Sequence, residues 1–397
     1  MAVPRAPTLV GATDMASKYE MLEQIGSGTY GYVFRARVRG TDKVVALKRI
    51  KMDDPRPEAH RDGFPITALR EIKLLSCMSH ENVVRLEEIA TSNSSSSASS
   101  SSSSQGEEND FGLVSHVPSS IYMVFEYCEA DLLDVLKAAR NHTLYLTQDH
   151  FHSFTRQLLE GMFYIHKNRI LHRDIKAANI LVTRDCRLKI GDWGLARTCH
   201  PPPYPAPMVA EDRGGVRSAS EREKTSRYTD NVVTLWYRAP ELLMGVTSYT
   251  TAIDMWSIGC LIAELFLLRT LLQGRDELEQ LNLIFNLCGT PSPDTWPALG
   301  QGQAQAPPPP PSRPPPSRPL HPSYRPRIVK QQLSCTPGGK EGADLVDKLL
   351  ALNPNSRWSA EQALDHDYLW MEDPKEPGEL PPIIHLRRAQ ANAGGKG

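Results

Sequence analysis

Gly26-Ser27-Gly28-Thr29-Tyr30-Gly31 is a GxGxxG string whose backbone can approach phosphate groups closely. Such a string opens either a dinucleotide-binding turn or a plain glycine-rich hairpin. The dinucleotide turn needs a helix directly after its third glycine, and here Tyr32-Val33-Phe34 continues as strand, so a hairpin tip is expected. A β-rich run ending in Val45-Ala46-Leu47-Lys48 then supplies a cation of suitable reach, although Lys48 taken alone reads as a solvated surface lysine. Farther along stand three more groups of polar residues: His172-Arg173-Asp174-Ile175-Lys176-Ala177-Ala178-Asn179, Asp192-Trp193-Gly194 and Ala239-Pro240-Glu241.

In this order, over about 200 residues, the set resembles the protein-kinase signature. The resemblance implies a bilobal α+β fold, with a small β-rich N-lobe and a larger helical C-lobe, and a reaction that uses ATP and Mg²⁺. Phosphoryl transfer needs the triphosphate charge held and the acceptor hydroxyl aligned, because positioning and electrostatics supply nearly all of the acceleration. By the resemblance, Lys48 grips the α- and β-phosphates and pairs with Glu71. Asn179 and Asp192 are the Mg²⁺ ligands, Asp174 receives or orients the hydroxyl proton, and Lys176 neutralises the γ-phosphate. A lysine two residues after the aspartate is the serine/threonine pattern. The implied adenine pocket has Ile25, Val33, Ala46 and Leu181 as walls and Phe125 at its back. Backbone groups of Glu126 and Cys128 and the residues Tyr32 and Asp131 complete it, with Gly26 to Gly31 over the phosphates.

Pro65-Ile66-Thr67-Ala68-Leu69-Arg70-Glu71 narrows the resemblance to the cyclin-dependent kinases, in which this segment is the cyclin-facing helix. Arg70, Arg173 and Arg197 match three arginines that in that family gather around a phosphothreonine, and Thr229 matches its acceptor, phosphorylated by an activating kinase. Three guanidinium groups on one dianion would order the loop through charge-assisted hydrogen bonds. Val232, Val233 and Arg238, within Val232-Val233-Thr234-Leu235-Trp236-Tyr237-Arg238, match the platform that favours proline after the acceptor serine or threonine. Proline lacks an N–H and so loses nothing where that donor would find no partner.

Pro65 to Glu71, Lys176-Ala177-Ala178-Asn179 and Asp365-His366-Asp367-Tyr368-Leu369-Trp370 look most like the transcriptional branch, which includes the catalytic subunit of positive transcription elongation factor b. That implies Ser/Thr-Pro substrates in the C-terminal repeat of RNA polymerase II and residence in the nucleus, with the cytoplasm also open. The alternatives are a cell-cycle kinase or a catalytically weak cyclin-binding scaffold. The isolated chain is expected to be nearly inactive, since a cyclin on the Pro65 to Glu71 helix has to push Glu71 toward Lys48. Two departures stand out: Trp193 replaces phenylalanine, which bears on regulation more than on chemistry, and Tyr30 follows Thr29 as in cell-cycle members. Phosphate on Thr29 or Tyr30 would repel ATP; otherwise the two are polar residues of a hairpin tip. Glu241 is expected to pair with Arg357, and Asp254 to brace the catalytic loop.

The elements that must position these groups follow from periodicity. Tyr19 to Ile25, Tyr32 to Val38 and Val44 to Ile50 read as an antiparallel meander. Thr67 to Met78 reads as a helix with Leu69, Ile72, Leu75 and Met78 on its apolar stripe. A strand at Ile121 to Tyr127 is followed by helices at Leu132 to Ala139, His150 to His166, Asp254 to Leu268, Asp276 to Cys288, Gly342 to Leu352 and Ser359 to His366. The domain plan is a tail (1–18), an N-lobe (19–127) with a disordered Ser-rich insertion (91–118), a C-lobe (128–370) with insertions at 198–228 and 298–327, and a tail (371–397). The 298–327 tract is rich in proline and suits polyproline II, as a solvated linker or as a docking site for a polyproline-reading module.

Composition removes several other classes. The 397 residues suggest two domains or one bilobal unit, at about 150 residues per domain. Lys plus Arg is 45 against 46 for Asp plus Glu, which gives no bulk charge for coating nucleic acid or an acidic membrane. Cys77, Cys128, Cys186, Cys199, Cys260, Cys288 and Cys335 are scattered singly, which suggests reduced thiols in a cytosolic or nuclear compartment. Met1 to Ala16 has no secretory apolar stretch, and Met255 to Leu272 is interrupted by Glu264 and Arg269, so a buried helix is expected there and not a membrane span.

Overall fold

The computed structural model describes residues 13–28, 31–50, 65–92, 120–199, 234–292, 296 and 324–370. The chain separates into two compact units, Met1–Ser79 with Val84–Cys128, and His80–Val83 with Glu129–Gly397. Thr29, Tyr30, Thr229, Val232 and Val233 lie outside the described residues, as do 1–12, 51–64, 93–119, 200–233, 293–295, 297–323 and 371–397.

The first unit is built on a six-stranded sheet in the order β1-β5-β6-β4-β3-β2. Its strands are β1 (Thr13–Asp14), β2 (Tyr19–Gly28), β3 (Gly31–Val38), β4 (Val44–Ile50), β5 (Leu86–Ser92) and β6 (Ser120–Glu126). The expected meander β2-β3-β4 is antiparallel throughout. In β4 the alternation buries Val45 and Leu47 in a core with Tyr19, Ala36, Tyr122 and Val124, and so turns Ala46 and Lys48 to the other face. Gly31 is required by its surroundings, because a Cβ there would lie 2.0 Å from Arg49 O.

Two expectations need correction in this unit. Residues 13–18 do not belong to a free tail: β1 pairs in parallel with β5, Asp14 caps helix α1 (Met15–Lys18), and Glu88 of β5 accepts hydrogen bonds from Thr13, Lys18 and Tyr19. Likewise Thr91 and Ser92 are strand residues paired with Ile121 and Ser120, so the serine-rich segment does not begin at 91.

Helix α2 (Ile66–Ser76) starts after Pro65, whose φ of −61° suits a helix entrance. Its apolar stripe differs from the expected one. Leu69 is 52% exposed, while Ala68, Glu71, Leu75 and Met78 are buried. The inward face admits a carboxylate because Lys48 neutralises it, and this rotates the helix away from the reading that hydrophobicity alone suggests.

The second unit is mainly helical: α3 (Leu132–Arg140), α4 (Gln148–Lys167), α5 (Pro240–Leu243), α6 (Ala252–Leu267), α7 (Glu277–Cys288), α8 (Val329–Leu333), α9 (Gly339–Leu349) and α10 (Ala360–Leu364). Short strands β7 (Ala130–Asp131), β9 (Ile180–Val182) and β10 (Leu188–Ile190) form one sheet, and β8 (Ile170–Leu171) pairs with β11 (Arg197–Thr198). Helix α6 is buried from Ile253 to Phe266, which explains its near-uniform apolar sequence. Gly259 lets α9 approach it, since a Cβ would lie 2.9 Å from that of Leu349. No described helix is long and apolar enough to cross a membrane.

The chain on either side of the proline-rich tract is tied together. Thr290 N donates to Arg325 O at 3.1 Å, Arg325 N donates to Thr290 Oγ1 at 3.0 Å, and Arg327 holds Asp347 and Cys288 O. Residues 324–327 therefore belong to the folded unit, not to the insertion. The described cysteines are all free thiols, and burial pushes Cys199 and Cys288 up to about 12, which makes both poor nucleophiles.

Candidate active site

In the first unit, Lys48 Nζ lies 2.8 Å from Glu71 Oε1 and 3.0 Å from Oε2. The strand places the lysine and the helix the carboxylate, which is only 3% exposed. The pair joins β4 to α2 within the first unit. A buried carboxylate left without its cation would be strongly destabilising.

Ile25, Val33 and Ala46 are half-buried on the meander, and Ala46 sits opposite Phe125 in the β4–β6 register. Gly26 pairs with Val33, Ser27 with Tyr32, and Gly28 with Gly31. Glu126 is occupied from two sides: its Oε1 accepts from Arg85 N at 2.7 Å, and its own N–H donates to Arg85 O. Cys128 is half-buried. Arg70 is half-buried on α2.

In the second unit the residues His172 to Asn179 form a loop organised around two carboxylates. Asp254, from the first turn of α6, accepts backbone N–H bonds from His172 and Arg173, both at 2.9 Å, and contacts His166 Nε2 at 3.0 Å. Burial opposes its ionisation, yet the hydrogen bond and field of His166, with His172 and the Arg173 N–H, hold its carboxyl below the usual range. The expected brace from the central helix is present.

Asp174, 7% exposed, is the second. Its Oδ2 accepts from Lys176 Nζ at 2.7 Å and from Asn179 Nδ2 at 2.9 Å, and Asn179 Nδ2 also reaches Asp174 O at 2.8 Å. Among the described residues its Oδ1 accepts from Thr234 Oγ1 alone, at 3.2 Å, and Lys176 Nζ donates to the same hydroxyl. Thr234 and His166 were not singled out on sequence. Thr234 stood inside a quoted motif, whereas nothing local marks His166.

Arg173 and Asp192 both adopt left-handed backbone, with φ of 67° and 55°. For residues with a Cβ this is strained, and such strain gathers at working sites. Arg173 is buried, donating from Nε to Leu195 O and from Nη1 to Tyr249 Oη. Asp192 is exposed, while Trp193 beside it is fully buried. Leu181 sits on β9 opposite Asp131, and Asp131 caps α3 by accepting from Asp134 N at 2.8 Å. Arg197 is exposed on β11.

Arg238 pairs with Glu277 at 2.9 Å. Glu241 and Arg357 make the expected buried pair, at 2.6 and 2.9 Å, with Arg357 also donating to Ala252 O. Elsewhere Glu264 is raised by burial, against hydrogen bonds from Tyr237 and Thr270.

Comparison with known proteins agrees with this geometry. The protein kinase domain model matches residues 19–369. Cyclin-dependent kinase 9 of Danio rerio is 39% identical over 359 residues, which is 90% of this chain and 82% of that protein. The human cyclin-dependent kinase 9 is 38% identical over the same shares. Cyclin-dependent kinase C-2 of Oryza sativa subsp. japonica is 39% identical over 364 residues, 91% of this chain and 61% of that protein. A chain in the crystal structure of the yeast RNA Pol II CTD kinase CTDK-1 complex superposes with a TM-score of 0.65 at 31% identity, covering 95% of this chain and 98% of that one. A protein kinase domain implies ATP and a divalent metal. With the Lys48–Glu71 pair and the braced loop from His172 to Asn179 in place, these likenesses make the chain a protein kinase that belongs to the cyclin-dependent kinases and resembles their transcriptional branch.

Proposed function

We propose that this chain, bound to a cyclin, transfers the γ-phosphate of ATP to serine or threonine followed by proline, with the C-terminal repeat of RNA polymerase II as its substrate and the nucleus as its site of action. The observation that carries the reading is the Asp174 constellation. Oδ2 accepts from Lys176 and Asn179, whereas among the described residues Oδ1 has Thr234 alone, so Oδ1 is the atom that takes the acceptor hydroxyl's proton. Lys176, fixed between Asp174 and Thr234, places a positive charge next to the acceptor.

Mg²⁺ suits the donor set: an exposed carboxylate, Asp192, and an amide, Asn179, offer hard oxygens, and such ions are usually held by one or two protein ligands together with phosphates. Bound ATP and its metal supply the phosphoryl group and neutralise its charge. Lys48 orients the phosphates, with Glu71 holding the ammonium in place. Exposed Leu69 on α2 is the kind of apolar side chain a cyclin would cover. Substrate and compartment rest on the likeness to the yeast CTD kinase and to cyclin-dependent kinase 9. The two units serve as N- and C-lobe. Phosphorylated Thr229, made by a separate kinase, recruits Arg70, Arg173 and Arg197, while Val232, Val233 and Arg238 receive the proline.

The test uses the complex purified from native extract with its cyclin. Asp174→Asn should lower turnover by about 10²- to 10⁴-fold with the fold intact. Repeat peptides carrying Ser-Pro should be phosphorylated far faster than the Ser-Ala versions and than a histone-type substrate. Undiminished turnover in Asp174→Asn would remove the catalytic assignment, and preference for the histone-type substrate would move the protein to the cell-cycle branch.

A further inference from the structure

Trp193 follows the candidate metal ligand Asp192, and the two side chains part company at the turn. The carboxylate of Asp192 is exposed, whereas the indole is 0% exposed. Trp193 Nε1 donates to Ile190 O at 3.3 Å, and the ring meets His172 edge-on, with centroids 4.9 Å apart and planes at 66°. His172 Nε2 in turn lies 2.9 Å from Gly191 O, and Ile190 N donates to Asn82 O at 2.8 Å. Between these anchors Asp192 holds a φ of 55°, so the turn sits in a conformation that its own backbone does not favour.

Something outside the turn must hold it there. The indole hydrogen bond is suited to this, because it spans the strained residue, from Trp193 back to Ile190. If the Asp192 peptide rotated out of the left-handed region, the indole would either leave its pocket or keep a buried N–H with no acceptor, and an unmade buried hydrogen bond is unfavourable. A phenylalanine could fill the pocket but has no N–H to lose.

We infer that Trp193 is a positioning residue, whose indole N–H, tied to Ile190 O, locks the turn that presents Asp192 to the metal. The inference rests on the kinase reading for its metal, though not for its conformational content. The lock shifts the balance between the seen turn and its rotated alternatives by roughly two- to tenfold, the range of one buried hydrogen bond.

The test compares the cyclin-bound wild-type kinase with Trp193→Phe. A second variant carries 3-benzothienylalanine at position 193, which has the indole's shape without its N–H and keeps the test open if phenylalanine packs poorly. Hydrogen exchange of the amides from Asp192 to Ala196, measured without nucleotide, should speed up by roughly two- to tenfold in both variants. The Mg²⁺ concentration for half-maximal activity should rise by a similar factor, with kcat moving less. Exchange and Mg²⁺ dependence like wild type in the benzothienylalanine variant would overturn the lock. A wild-type complex with no kinase activity would sink the kinase reading instead, and the exchange measurement would still decide the lock.

Discussion

The two units hold their charged groups in different ways. In the first, Lys48 and Glu71 are joined by one two-pronged ion pair between a strand and a helix. In the second, Asp174 collects Lys176, Asn179 and Thr234, and its loop hangs from Asp254 by two backbone N–H bonds. A pair carried by one helix is lost if that helix shifts, whereas a network with several donors tolerates the loss of any one of them. On the proposed function, a partner acting on this chain would act through α2, while the loop from His172 to Asn179 is held by several bonds at once.

Asp254→Ala should break the second arrangement most severely. Removing the carboxylate leaves the His172 and Arg173 N–H groups buried without their acceptor, which costs about 3–5 kcal/mol of stability, read by chemical denaturation. Near-wild-type stability would mean that the loop does not depend on this brace. Glu71→Gln should be milder on the fold, about 1–2 kcal/mol, because an amide oxygen still accepts from Lys48. Its KM for ATP should rise by more than its kcat falls, and an unchanged KM would deny the pair its part in holding the phosphates.

Acid sharpens the comparison further, because two buried carboxylates of the second unit respond in opposite senses. Asp254 is depressed in the folded chain, so its stabilisation is complete above its unfolded value near 3.8 and is lost as the pH falls through the folded value. Glu264 is raised, so its contribution is full below its unfolded value of 4.5 and declines as the pH rises through the folded value. Glu264→Gln should therefore flatten the stability profile just above pH 4.5, measured as Tm against pH, and an unaltered profile would exclude Glu264 as the source. The smallest expected effect separates useful strain from idle strain. Arg169, exposed at a φ of 58°, should become more stable by about 0.5–1 kcal/mol as Arg169→Gly, whereas Arg173→Gly should destabilise through loss of the Leu195 and Tyr249 bonds.

The motif residues were legible because phosphoryl transfer constrains residue type and spacing together, and the meander because β4 alternates cleanly. Strand β5 was not, since a register shift between Leu86 and Glu88 breaks its alternation and two adjacent acidic residues, Glu87 and Glu88, stand near its start. The ordering of residues 13–18 was hidden for another reason: it depends on Glu88, about 70 positions away. The outward turn of Leu69 depends on a buried ion pair, which an apolar count reads with the wrong sign. Strands β7 to β11 are too short to display any period.

The two hydrogen bonds between Thr290 and Arg325, with Arg327 fastened to Asp347, join the chain of the second unit on the two sides of residues 297–323. The ends of the folded chain on its two sides are therefore held near each other whatever lies between residues 298 and 322. Replacing residues 298–322 with a reporter domain whose ends lie close together should leave phosphoryl transfer in place. This position is a port for engineering a traceable form of the kinase.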